Sequence, residues 1–214
     1  MSRRFLIVIA GIAVVLVVLG LTFVDYSLVR WVQSLTIANS PVFRNGLAAL
    51  DALVGMHVFY WLSGCLAIAI GLLGQFGGVQ ARWHRFASSL LAAGIVQVCA
   101  LAIMIQGKGF FGRLRPIEVL SSGDWSHVWF VGGGSFPSGH GAYYFGLFLP
   151  LAAAATNVWL RAILLAIPVF AISARIDMSM HFLSDVTTSA LIAALLALLV
   201  DTIMKRWLPH FAIR

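Results

Sequence analysis

Three short clusters in the second half of the chain carry residue types at spacings suited to handling a phosphate group. The first runs from Lys108 through Arg113 to Arg115-Pro116. Lys108 and Arg115 are two helical turns apart, so both cations are expected on one helix face, with Pro116 ending that helix. A point charge beside a planar fork of N–H donors matches the oxygens of a phosphate. Arg113 points elsewhere on such a helix and is read as a cation for lipid headgroups. The second cluster is Phe136-Pro137-Ser138-Gly139-His140. Ser138 suits a helix N-cap, whose neighbouring backbone N–H groups would face an incoming anion. Gly139 lets the main chain approach closely, and His140 stands where a general acid could reach a leaving oxygen. The third cluster joins Arg175, Asp177, His181 and Asp185. His181 and Asp185 are spaced to share a helix face, where the carboxylate would hold one imidazole nitrogen and leave the other basic.

The elements that must position these groups are those of a membrane protein. Of 214 residues, 61% are hydrophobic and only 10% charged, and the mean hydropathy is +0.99. So few charges could not coat a globule in water, where about 25% is usual. Six apolar segments are predicted to span: 5–24, 52–73, 86–105, 141–158, 161–174 and 182–204. The expectation is one all-α domain over residues 1–214, a six-helix transmembrane bundle with short interfacial helices. Those short helices fall within Tyr26–Leu50, broken at Pro41, and Pro168 predicts a kink in the fifth span. Arg3 and Arg4 precede an apolar run too long for a signal-peptide core, so the first segment reads as an uncleaved helix.

The net charge of +7 does not point to nucleic acid, because the basic residues are scattered rather than gathered beside stacking aromatics. With both termini inside, Arg3, Arg4, Arg82, Arg85, Arg161, Lys205, Arg206 and Arg214 face the cytoplasm. Arg30, Arg44, Lys108, Arg113, Arg115 and Arg175 lie outside. If Lys108, Arg115 and Arg175 serve chemistry, the remaining bias is clear. This layout brings all three clusters to one membrane face, the outer one. Cys65 and Cys99 read as buried small hydrophobes, and no acid–histidine cluster has metal-ligand spacing. Gly132-Gly133-Gly134 lacks the lysine of a phosphate loop and reads as a hinge. Trp125, Trp129 and Phe130 read as an interfacial belt, and His57, His84 and His210 as interfacial residues near span ends.

Lys108 with six residues before Arg115-Pro116, then Pro137-Ser138-Gly139-His140, then Arg175 with five residues before His181 and three more before Asp185, resembles the tripartite signature of the type 2 phosphatidic acid phosphatase superfamily. The resemblance implies a membrane lipid phosphatase needing no cofactor or metal. In it His181 would attack phosphorus, Asp185 would orient it, and His140 would protonate the leaving alkoxide. Lys108, Arg115, Ser138, Gly139 and Arg175 would hold the phosphoryl oxygens. It also implies a bacterial inner-membrane protein with its site facing the periplasm. Two positions depart from the pattern: Ala174 replaces a usual serine, and Asp177, where an uncharged residue is common, is expected to clamp Arg175 or to disfavour some doubly charged substrates. A lipid-to-lipid phosphotransferase is the alternative within the fold. Transport or non-catalytic lipid binding fits less well, because the ionisable residues gather at span ends rather than mid-membrane. Undecaprenyl diphosphate, phosphatidylglycerophosphate, phosphatidate and lipid A phosphates all fit the chemistry.

Overall fold

A computed structural model describes residues 1–35, 38–56, 58–76, 81–208, 210, 211 and 213, with the side chains of residues 76, 81 and 82 left undescribed. The expectations for His57, Arg82 and Arg214 therefore fall outside the description. Among the described residues the chain is all helical. Helix α1 (Arg3–Leu19) passes through a π-turn (Gly20–Val24) directly into α2 (Asp25–Ser34). Then come α3 (Pro41–Leu53), α4 (Leu62–Phe76), α5 (Ala81–Phe111), α6 (Pro116–Ser122), α7 (Gly139–Ala154), α8 (Val158–Asp177) and α9 (Leu183–Trp207).

Each apolar segment contains a helix, with shifted ends. Four stretches are long and apolar enough to cross a membrane: Arg3–Ser34, Trp83–Ser122, Val158–Asp177 and Leu183–Trp207. The other two are shorter: α4 has 15 residues and α7 has 16, about 22 Å and about 24 Å against a hydrocarbon core of about 30 Å. The six-span count is therefore inexact by length. The second segment fails at its start, because residues 52–56 form the end of α3 and a turn, and residues 58–61 precede α4 without joining it. The apolar run is continuous there, but its first residues complete the amphipathic α3.

Helix α7 is the axis of the bundle. It packs against α5, α8 and α9, while α4 covers α5 and α1 lies along α9. Tyr143, Tyr144, Leu149 and Ala152 are fully buried on it, as expected of a helix apolar on every side. Its polar atoms are matched: Gln97 Nε2 donates to the Tyr143 carbonyl at 3.1 Å, and Ser63 Oγ donates to Tyr143 Oη at 2.7 Å. By contrast α1 and α8 turn Ile7, Val15, Trp159 and Ile163 outward, the surface a lipid solvent requires. Helix α8 runs unbroken through Pro168. Ser40 caps α3 and Pro41 opens it, where a missing N–H costs nothing.

Helices α4 and α5 approach closely through glycines, as membrane helices do. A Cβ on Gly94 would sit 2.6 Å from the Gly64 carbonyl oxygen and 2.8 Å from the Ile68 nitrogen. Both atoms are backbone and cannot move aside. Gly94→Val is expected to force the pair apart and to cost about 1–3 kcal/mol or more. Gly11→Ala, where no atom lies within 4 Å, should be neutral. Thermal unfolding in detergent checks this; equal midpoints for the two variants would contradict the packing.

Candidate active site

All three clusters stand at the same end of the bundle, joined by direct bonds. Lys108 Nζ donates to the Gly134 carbonyl at 2.6 Å, Ser138 N–H to the Asp185 carbonyl at 3.2 Å, and Ile117 N–H to the Ser179 carbonyl at 2.9 Å.

His181 lies two residues before α9, not on it, which corrects the expectation of a shared helix face. Phe182 is the extended N-cap and Asp185 the third helical residue, so the carboxylate folds back over the helix start. There Asp185 Oδ2 accepts the Phe182 N–H at 2.8 Å and the Ser135 hydroxyl at 2.5 Å. His181 Nδ1 faces the same oxygen at 3.5 Å, near the limit of hydrogen bonding and without a formed bond. Burial lowers the His181 pKa from its ordinary 6.5 to about 4, against the opposing pull of Asp185. At neutral pH the imidazole is uncharged, as a nucleophile must be.

Lys108 sits in the last turn of α5, which ends at Phe111; Gly112 follows with φ of 48°. The chain then runs extended to Arg115, which caps α6, with Pro116 as its first residue. Pro116 opens a helix here instead of closing one, so Lys108 and Arg115 share no helix face. They meet nonetheless, because the turn at Gly112 folds the segment back. Lys108 lies within electrostatic range of Arg115, Arg175 and Asp185, and Arg175, in the last turn of α8, within range of Arg115. None of these three cations makes an ion pair with a carboxylate among the described residues. Asp177 Oδ2 accepts the Ser40 N–H at 2.9 Å, tying α3 to α8. Its expected clamp on Arg175 is not formed, because the carboxylate is drawn to this free helix-start donor.

Ser138 caps α7 as expected: its Oγ accepts the Gly141 N–H at 3.2 Å. A Cβ on Gly139 would lie 2.7 Å from Tyr60 Oη, so only glycine leaves room for that phenol. His140 Nε2 is 3.2 Å from Asp51 Oδ2, while Asp51 Oδ1 accepts the Tyr144 hydroxyl at 2.7 Å. His140 is within electrostatic range of Lys108 and Arg175, which puts the acid–base candidate beside the cations.

The sequence reading missed several of these neighbours. Asp51 comes from α3, read only as interfacial, and its signal was one acid within an apolar helix face. Tyr60 stays a neutral donor, its pKa raised by burial, and nothing in its sequence context marks it. Arg113 is no headgroup cation: it is 4% exposed, with Nη1 2.5 Å from Asp185 Oδ1 and Nη2 2.8 Å from Asp25 Oδ2. The turn at Gly112 drives it inward between Trp129 and Phe182. Trp129 thus belongs to the site's wall, and Trp125 packs on Tyr26 with ring centroids 4.4 Å apart. The glycine run is no free hinge either, since a Cβ on Gly133 would fall 2.3 Å from the Arg113 carbonyl oxygen.

A family model described as PAP2 superfamily matches residues 83–209, more than half of the chain and all three clusters. The chain belongs to the PAP2 superfamily. Members of this superfamily are phosphatases and phosphotransferases acting on phosphate esters. No curated protein and no solved structure matched the chain. Within the PAP2 match lie His140, His181, Asp185 and all three cations, whereas Asp25, Asp51 and Tyr60 lie before it.

The low pKa of His181 has a measurable consequence. An unfolded chain takes up this proton near pH 6.5, the folded protein only near 4. The stability due to neutral His181 is therefore present above pH 6.5 and lost as pH falls through about 4. The loss approaches about 3 kcal/mol. Unfolding in detergent at pH 7 and pH 4.5 should show a larger drop for the wild type than for His181→Asn. Equal drops would contradict the assignment.

Proposed function

We propose that the protein is an integral membrane lipid phosphatase that works through a phosphohistidine, without a metal. One observation carries this reading: three cations gathered without ion-paired carboxylates among the described residues, beside a neutral buried histidine and a second histidine. Like charges held together repel, and a phosphate would relieve that repulsion. In the first step His181 attacks phosphorus while the phosphorus–oxygen bond to the lipid breaks. His140 gives its proton to the departing alkoxide. In the second step water attacks phosphorus and passes a proton to His140, while the phosphorus–nitrogen bond breaks, freeing His181 and releasing inorganic phosphate. Lys108, Arg115, Arg175 and the α7 start offset charge on the oxygens in both transition states.

The apolar bundle supports a lipid as the ester's other half, since the site opens at the end of helices whose outer surfaces are hydrocarbon-like. Arg85, Arg161, Lys205 and Arg206 stand at the opposite end, which favours cytoplasmic termini and a reaction at the outer or periplasmic face of an inner membrane. With Ala174 in place of serine, the substrate is held by cations and backbone donors rather than by a hydroxyl at that position.

Purified protein in detergent should release inorganic phosphate from phosphatidate in the presence of a chelator. In the phosphorylation step, read from the first turnover, His140→Ala should lose about 10²–10⁴-fold on this alkyl ester but far less on an aryl phosphate, whose leaving group scarcely needs a proton. Activity abolished by the chelator and restored by a divalent metal would overturn the mechanism. Phosphate recovered only on a second lipid would mark a transferase instead.

A further inference from the structure

Arg113 and Asp25 are buried charges beside the site that have no role in the steps above. They are 4% and 7% exposed and meet at 2.8 Å. Burying a guanidinium is costly unless every side of it is matched, and Arg113 is matched nearly all round. Nη1 donates to Asp185 Oδ1 at 2.5 Å and to Ser184 Oγ at 2.7 Å, Nη2 donates to Asp25 Oδ2, and the plane lies between Phe182 at 3.9 Å and Trp129 at 4.3 Å. Only a planar fork can bridge two carboxylates in this way.

Asp25 reaches the bundle through an irregularity of the first helix. The π-turn at Gly20–Val24 widens the helix by one residue just before it. Gly20 lets the helix lie against the start of α9, where a Cβ would come within 3.0 Å of the Ser184 nitrogen and Cβ. Asp25 Oδ1 accepts the Ser184 N–H at 3.0 Å, one of the free donors at a helix start, and its Oδ2 accepts the Ser184 hydroxyl. A π-turn, a glycine contact and a buried acid thus converge on the residue next to Asp185.

The charges explain why both acids are present. If Arg113 paired with Asp185 alone, the two charges would cancel, and His181 would face a neutral pair. With Asp25 included, the buried set is two negative charges and one positive, net one negative. That charge stands behind His181, where an imidazolium forms when Nε2 takes phosphorus.

We propose that Arg113 and Asp25 are positioning residues of the reaction, which hold the Asp185 carboxylate behind His181 and keep it net negative. The proposal rests on the phosphohistidine reading. It brings the first helix, outside the matched family region, into the catalytic arrangement.

Arg113→Ala would leave two buried carboxylates unpaired, so the test uses Arg113→Lys and Asp25→Asn. Both retain packing, and the asparagine oxygen can still accept the Ser184 N–H. Removing an outer partner of a catalytic group typically costs about 10–100-fold. We expect a kcat fall of that size for Asp25→Asn, at least as large for Arg113→Lys, and no larger for the double variant than for Arg113→Lys alone. Competitive inhibition by inorganic phosphate should stay within about threefold of wild type, because the phosphate-holding cations are untouched. Variants within about twofold of wild-type kcat, or effects that add in the double variant, would overturn the proposal. So would kcat, inorganic-phosphate affinity and thermal midpoint falling together, the signature of a purely structural clamp. A wild type that turns over no phosphate ester would instead defeat the phosphatase reading.

Discussion

A carboxylate with no solvent exposure stands at the base of the site, and the surrounding architecture keeps it charged. Asp185 would sooner be neutral in such a place, because burial penalises the ion. Its oxygens accept from Arg113, from the Ser135 hydroxyl and from the Phe182 N–H, and one of them faces His181. These partners come from the segment after α5, from the loop before α7 and from the start of α9. Any displacement of those elements would strand the charge, so the requirement to satisfy Asp185 also fixes how the site end of the bundle closes.

The two histidines of the site repeat one motif in different settings. Each faces a buried acid, His181 by way of the α9 start and His140 by way of α3. Yet one acid is a near neighbour in sequence and the other lies 89 residues away. The amphipathic α3 is anchored at both ends, by the Ser40–Asp177 bond and by the Asp51–His140 contact. Lys108 and Arg175 lie within electrostatic range of both histidines.

The gathering of the candidate residues was legible in the sequence wherever they stand at a short local spacing. Ser138 as a cap, Lys108 with Arg115, and His181 with Asp185 are such cases. Backbone direction was less legible: the positive φ of Gly112 turns a supposed continuous helix inward, and Pro116 opens the next one. Hydropathy located the apolar segments but could not tell that α3 ends at Leu53, since a core-facing stripe and a membrane helix both read as apolar. The long-range partners were invisible. Asp25 meets Ser184 across 159 positions, and no local pattern announces a contact that exists only after the helices pack.

The central claim is that phosphorus passes through His181, and mapping the phosphoenzyme tests it most directly. Protein mixed with a phosphorus-labelled substrate, quenched within one turnover under alkaline conditions and digested, should carry acid-labile label on the peptide holding His181. The label should be absent from His181→Ala and should persist longer in His140→Ala, where water attack is slowed. Label found on His140, or full turnover by His181→Ala, would contradict the account.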